Sequence, residues 1–257
     1  MLLLLGFKPL LCDTCVFVNQ DKNFWLTTHV DDLLLATKDE VARNKFIKGL
    51  SDHFKVKDLG QVSTYLGAHV QWSPNQCKID QRVYVDKMVK RFNKIDAKPV
   101  YSPMAGSVYL NHGMSPQTES EIKEMADIPY RSLTGSLLYA ALLTRPDIAY
   151  ATQRICKFNE NPGRRHWKAG QRIIKYLKST RTHGIVYRKT GSLLPVTDSD
   201  SDWADNKETR LSHSGWIARV AGGAIDRCTN VQQSVALSSC EADYVAASEA
   251  FRAVQWI

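Results

Sequence analysis

Short apolar runs alternate with polar turns along the first part of the chain. Val16-Phe17-Val18 and Phe24-Trp25-Leu26 flank Asn19-Gln20-Asp21-Lys22-Asn23, which predicts two strands joined by a polar hairpin loop. A further strand turn falls within Leu26-Thr27-Thr28-His29-Val30-Asp31-Asp32-Leu33-Leu34-Leu35-Ala36, where two adjacent carboxylates interrupt an otherwise apolar run. Thr37-Lys38-Asp39-Glu40 then has the form of a capping box, and Val41, Phe46, Ile47, Leu50 and Phe54 follow at helical spacing, so a helix is predicted directly after that hairpin. Residues 65–72 read as a strand that turns at Ser73-Pro74-Asn75-Gln76 into Lys78-Ile79-Asp80. From about Gln81 a helix turns Tyr84, Val85, Met88, Val89 and Phe92 inward and Lys87, Lys90, Arg91 and Lys94 outward.

Between residues 97 and 128 the composition shifts to Pro, Ser, Gly, Asn and Met with little periodicity, which predicts a linker or long loop and the best candidate for a domain boundary. Residues 130–143 are apolar almost all round and predict a buried helix, ended by Thr144-Arg145-Pro146-Asp147 before another begins. The helix predicted over 163–179 is amphipathic, with Trp167, Ile173, Ile174 and Leu177 on one side and Lys168, Arg172, Lys175 and Lys178 on another. Val196-Thr197-Asp198-Ser199-Asp200-Ser201-Asp202-Trp203 places alternate aspartates on one face of a strand. Residues 215–220 and 234–237 read as two more strands, and a closing helix follows. Ser239 is its expected N-cap, Glu241 and Asp243 lie in its first turn, and Ala247, Ala250, Phe251 and Val254 form its apolar side.

A chain of 257 residues is long enough for two small domains. Its 34 Lys and Arg against 26 Asp and Glu give a net charge of +8, which suits a polyanionic partner such as nucleic acid. Six cysteines spread over this length form no disulfide framework and favour a reducing cytoplasmic or nuclear setting. Cys12 and Cys15 have the spacing of half a zinc knuckle, but no second Cys/His pair follows. The apolar opening lacks a basic region and is broken by Gly6, Lys8 and Pro9, so it does not read as a signal peptide. No run reaches the ~18 apolar residues of a membrane span.

The chemistry concentrates in the acidic motifs. Burying a carboxylate is costly unless it is paired or binds a metal, and two side by side make this worse, so Asp31 and Asp32 point to a divalent cation such as Mg²⁺. An acidic tight turn with no ligand is the alternative. Asp198, Asp200 and Asp202 repel one another unless a cation intervenes, while acids at the start of the closing helix also serve as partners of the helix dipole. The cationic stripe of 163–179, beside Arg164 and Arg165, suits a helix that tracks a phosphate backbone, and equally an ordinary solvated face.

Taken in order, several segments resemble the polymerase and ribonuclease H part of a copia-type retrotransposon Pol polyprotein. They are His29-Val30-Asp31-Asp32-Leu33-Leu34-Leu35-Ala36, Lys57-Asp58-Leu59-Gly60 with Tyr65-Leu66-Gly67, and Tyr130-Arg131-Ser132-Leu133-Thr134-Gly135-Ser136-Leu137-Leu138-Tyr139. Thr144-Arg145-Pro146-Asp147-Ile148-Ala149-Tyr150, His166-Trp167-Lys168-Ala169, Asp200-Ser201-Asp202-Trp203-Ala204 and Ala236-Leu237-Ser238-Ser239-Cys240-Glu241-Ala242-Asp243-Tyr244 complete the set, which covers nearly the whole chain. The resemblance implies that Asp31 and Asp32 are catalytic, metal-holding carboxylates of a polymerase palm and that Tyr65, Leu66 and Gly67 grip the primer terminus. It also implies that Lys168, Arg172 and Lys175 touch a template-primer from a thumb-like helix, and that Asp200 and Asp243 are catalytic metal ligands of a ribonuclease H site. The cofactor implied is Mg²⁺ in two-metal sites, and the partners are RNA/DNA template-primer and RNA–DNA hybrid.

Two positions depart from the family pattern. His29 stands where an aromatic residue is expected and Asp243 where a glutamate is, which draws that carboxylate back by about one carbon–carbon bond. The chain opens after an earlier palm aspartate and closes before a later ribonuclease H aspartate, so both sites are expected to need a complementing polyprotein chain. The implied fold is α/β in the broad sense, or α+β. Residues 1–96 would be a partial reverse-transcriptase palm, 97–129 a linker, 130–190 a helical thumb or connection, and 191–257 a truncated ribonuclease H-like domain with a three-stranded mixed layer. Three functions stay open: a slice of a working RNA-directed DNA polymerase and ribonuclease H, inactive as this isolated chain; a decayed remnant; or a non-catalytic nucleic-acid-binding protein.

Overall fold

Four antiparallel strands in chain order, β1 (Phe7–Pro9), β2 (Val16–Asn19), β3 (Phe24–His29) and β4 (Asp32–Thr37), form a meander backed by helix α1 (Glu40–Ser51). The computed structural model describes all residues except Ser107, Gly191 and Glu208, and this meander belongs to the first of two units, Met1–Val62 and Ser63–Ile257. Its core is aromatic. Phe7, Phe24 and Phe46 meet edge-to-face with ring centroids 5.1–5.5 Å apart, and Leu26 and Leu50 close around them. Asp39 caps α1, its Oδ1 accepting from the Val41 and Ala42 N–H groups at 2.9 Å each, so the cap lies two residues beyond Thr37. Val41 and Phe54 are exposed although they lie on the expected apolar stripe: α1 packs through Ala42, Phe46, Ile47 and Leu50, which leaves Val41 on its outer side, and it ends at Ser51, before Phe54.

In the second unit the expected single strand over 65–72 is two. β5 (Thr64–Tyr65) turns through Leu66 and Gly67 into β6 (Ala68–Ser73), and β7 (Gln76–Asp80) leads to α2 (Arg82–Arg91). The expected linker contains a helix, α3 (Glu119–Ala126), whose box pairs the Thr118 hydroxyl with the Glu121 N–H and the Glu121 carboxylate with the Thr118 N–H. Helices α4 (Tyr130–Leu143), α5 (Ala149–Cys156) and α6 (Arg164–Ser179) follow, and β8 (Gly184–Arg188) then returns to pair with β7. Val85, Met88, Leu133, Leu137, Ile155, Ile173, Ile174 and Leu177 form the core of this helical layer. Helix α4 is not buried all round, since Leu138, Tyr139 and Leu142 are exposed. The expected boundary at residue 191 falls on Gly191, outside the described residues.

Two conspicuous sequence segments hold these helices together. Arg145, almost wholly buried, donates from Nε and Nη2 to the two Asp147 oxygens at 2.9 and 2.7 Å, and from Nη1 and Nη2 to the Thr180 carbonyl and hydroxyl at 3.1 and 2.6 Å. The turn after α4 is thereby tied to the end of α6. His166 accepts the Gly163 N–H on Nδ1 at 2.9 Å, meets the Asn111 carbonyl through Nε2 at 3.1 Å, and stacks on Phe158 at 3.8 Å. Burial holds its pKa below the usual imidazole value, so the ring caps α6 as a neutral base.

The last sheet, β9 (Val196–Asp202), β10 (His213–Val220) and β11 (Gly223–Val231), is antiparallel throughout rather than mixed. Its third strand is 223–231, not the apolar run at 234–237, which is a loop. Asp226, Arg227 and Asn230 hide that strand from an apolar pattern; pairing with β10 makes it. Tyr187 of β8 donates to the Ala224 carbonyl at 2.9 Å, joining the two sheets. Helix α7 (Ser239–Val254) is capped by Ser238 rather than Ser239. It packs through Ala242, Ala246 and Ala250, leaving Ala247 and Phe251 exposed, because three alanines one turn apart let the helix lie close to the sheet.

Candidate functional site

The β3–β4 hairpin pairs His29 with Asp32, so Val30 and Asp31 form a two-residue connection. Two-residue hairpins require positive φ at a central position, and Val30 supplies it with φ +55° while being 93% exposed. A β-branched side chain there is strained, and such strain clusters at functional tips. Asp31 and Asp32 are both exposed and in no ion pair among the described residues. The desolvation argument from sequence therefore does not apply to them. What the tip offers is two adjacent hard-oxygen donors facing solvent, a partial set for Mg²⁺ with water and phosphate oxygens completing it. Val30→Gly is expected to raise the thermal midpoint slightly, since relieving about 1–2 kcal/mol of strain outweighs the ~0.5–1 kcal/mol entropy cost of glycine; a lowered midpoint in a melting experiment would count against strain at this tip.

The β5–β6 turn places Leu66 at φ +48° and Gly67 at φ +80°, the two positive values of a type I′ turn. Tyr139 of α4 donates its hydroxyl to the Leu66 carbonyl at 3.0 Å and packs edge-on against Tyr84, 4.8 Å away. Tyr65 is half-buried and Leu66 and Gly67 are exposed, so a fixed backbone tip faces outward.

Along α6 the cationic stripe is divided. Arg172 donates to the Ser102 hydroxyl at 2.9 Å and Lys178 to the Ala97 carbonyl at 3.0 Å, which anchors the 95–102 stretch. Arg164 pairs with Glu124. Lys168, exposed, and Lys175, half-buried, make no ion pair among the described residues.

On the last sheet Ser201 donates its hydroxyl to Asp243 Oδ1 at 2.6 Å, so α7 lies over the face from which Ser201 projects. Side-chain alternation turns Asp200, with Asp198 and Asp202, to the opposite face. Asp200 and Asp243 are thus not brought together. Asp198 pairs with Arg219, and Asp202 is held above the usual carboxylate range by burial and by the neighbouring Asp205 and Asp200 charges. Among the described residues, no group of three or more His, Cys, Asp or Glu side chains converges to hold a metal.

Sequence reasoning missed the partners of this second face. Asp205 pairs with Arg154, accepts from Tyr150 at 3.3 Å and lies 2.9 Å from His213 Nδ1. Burial pushes the Tyr150 hydroxyl up to about 12 and, with the Lys157 charge, keeps His213 below its ordinary value. About 50 residues separate Arg154 from Asp205, so no local spacing reveals the cluster. Among the described residues no helix is long and apolar enough to cross a membrane.

Residues 1–106 match the family described as reverse transcriptase (RNA-dependent DNA polymerase). The chain is 36% identical, over 95% of its length, to a retrovirus-related Pol polyprotein from transposon TNT 1-94 of Nicotiana tabacum, covering 19% of that protein. It is 34% identical, over its whole length, to a Pol polyprotein from transposon RE1 of Arabidopsis thaliana, covering 17% of it. An uncharacterized mitochondrial protein of Arabidopsis thaliana is 30% identical over 90% of the chain and 93% of that protein. The chain spans less than a fifth of the length of the two Pol polyproteins. No solved structure matches it significantly.

Proposed function

This chain belongs to the copia-type retrotransposon Pol family, and on that premise we propose that it carries part of the nucleic-acid-handling surface of an RNA-directed DNA polymerase and ribonuclease H, binding template-primer and RNA–DNA hybrid. The observation that carries this is the solvent-facing Asp31-Asp32 pair on a strained hairpin tip, which the fold has no packing use for. Mg²⁺ held there would act as a Lewis acid that neutralises charge on the phosphates of an incoming nucleotide. The chain's own groups supply the positioning. Tyr65, Leu66 and Gly67 present a rigid tip to a primer terminus, and Lys168, Arg172 and Lys175 face a phosphate backbone, with Arg172 partly occupied by Ser102. The palm, thumb and ribonuclease H identities of the segments belong to this same proposal, as do the domain boundaries.

Asp200 and Asp243 do not fit one shared metal, because they leave β9 and α7 on opposite faces of the sheet. That arrangement favours a second reading for the isolated chain, a nucleic-acid binder without turnover, with catalysis belonging to the full-length polyprotein.

The test is binding of the whole chain to an RNA–DNA hybrid across a salt series. Affinity is expected to fall steeply with salt, and Lys168→Ala and Lys175→Ala are each expected to reduce the log–log slope by about one. With Mg²⁺ present the isolated chain is expected to bind hybrid without cleaving it. Salt-independent binding, or none, would remove the proposal; hybrid cleavage by the isolated chain would remove the second reading.

A further inference from the structure

Residues 103–105 and 108–110, with Met114, border a half-open cavity of about 340 Å³ against α6, within the range of small-molecule sites. Its two walls differ in chemistry. Arg165, Lys168 and Arg172, spaced three and four residues apart on one face of α6, line one side, while Met104, Val108, Leu110, Met114 and the Tyr109 ring line the other. Among the described residues no carboxylate lines it. A fourth cation, Lys207, sits 5.2 Å from the centre of the Tyr109 ring. Arg165 and Lys168 are in no ion pair among the described residues, whereas the adjacent Arg164 pairs with Glu124. Arg172 uses Nη2 on Ser102, and its Nε is buried with no hydrogen-bond partner.

Three like charges around one concavity repel, and a buried guanidinium N–H without an acceptor is a standing cost that an anion removes. The opposite wall asks for an apolar, flat body, since methionine sulfur and a tyrosine ring both pack well on an aromatic face. A duplex cannot enter such a volume. One phosphorylated aromatic unit can. We propose that this cavity is a nucleotide site, with the phosphate on Arg165, Lys168 and Arg172 and the base against Met104, Met114 and Tyr109. The inference rests on the nucleic-acid reading above and deepens it: Lys168 and Arg172 are shared between a one-nucleotide pocket and the duplex-facing stripe, while Lys175 belongs to the stripe alone.

Titration calorimetry of the whole chain at fixed ionic strength tests it, with AMP, adenosine, inorganic phosphate and a short single-stranded oligo(dA) as probes. AMP is expected to bind at least tenfold more tightly than adenosine or phosphate. Met104→Trp fills the apolar wall and is expected to weaken AMP at least tenfold with hybrid-duplex affinity unchanged. Lys175→Ala, outside the cavity, is expected to do the reverse. Arg165→Gln, at an exposed position, gives a second variant with no core to disturb and is also expected to weaken AMP. Phosphate binding as tightly as AMP, or AMP affinity untouched by both cavity variants, overturns the proposal. Oligo(dA) binding that is lost with Met104→Trp assigns the pocket to an unpaired nucleotide of a strand, and oligo(dA) binding that persists while AMP is lost assigns it to a free nucleotide. AMP binding with this pattern but no hybrid binding would leave the pocket standing and remove the duplex interface.

Discussion

Asn in place of Asp31 in the full-length polyprotein is expected to lower Mg²⁺-dependent primer extension by about 10²–10³-fold. Lewis-acid stabilisation of charge on a transferring phosphoryl group contributes several kcal/mol, and each ~1.4 kcal/mol is a factor of ten in rate. The same substitution is expected to leave stability within about 0.5 kcal/mol, because Asp31 is exposed at the hairpin tip and in no ion pair among the described residues. Extension on a defined template, measured beside the thermal midpoint, separates the two effects. Full activity in a normally folded Asp31→Asn protein would take the metal role from this hairpin.

Arg145→Ala is expected to destabilise the second unit by about 2–3 kcal/mol, because the almost wholly buried guanidinium and its hydrogen bonds are lost while Asp147, partly exposed, can be rehydrated. Asp147 would lose both Arg145 hydrogen bonds, and the Thr180 carbonyl and hydroxyl would lose their donors. The exposed pairing of Arg43 with Glu40 is the control, expected to matter by less than ~1 kcal/mol. The pH dependence has a definite sign. Burial pushes the Asp147 carboxyl up, but the hydrogen bonds and charge of Arg145 and the Tyr176 hydroxyl outweigh it and hold the pKa below the ordinary carboxylate value. In the wild type its contribution is complete above the unfolded pKa of ~3.9 and lost as pH falls through the lower folded value. Without Arg145 the strongest influences that lower the Asp147 pKa are gone, leaving the Tyr176 hydroxyl and a backbone N–H against burial. The difference between variant and wild type in urea unfolding is therefore expected to be largest near pH 7 and to shrink below about pH 4. A constant difference across that range would mean that lost packing, not the ion pair, sets the cost.

The hairpin around Asp31, the helix after it, the amphipathic α6 and the closing α7 are legible in sequence because each has a local period, two for a strand and 3.6 for a helix. Net charge, the adjacency of Asp31 and Asp32 and the order of the motifs are equally local properties. Strand β11 is not legible, because its polar residues follow pairing with β10 rather than apolar content. The 97–128 stretch hides α3 because a helix of eight residues with one buried side chain leaves little periodic trace.

For the candidate sites the divide is sharper. The sequence by itself determined which charged groups exist, how they are spaced along each element, and that Asp200 and Asp202 share a strand face. Only the tertiary structure decided that Ser201, not Asp200, meets Asp243, that Arg145 serves a buried network, and that Arg172 and Lys178 hold a neighbouring segment while Arg165 and Lys168 border a cavity. Periodicity specifies the face of an element a side chain occupies, but what that face meets depends on packing between residues far apart in the chain, which no local pattern encodes.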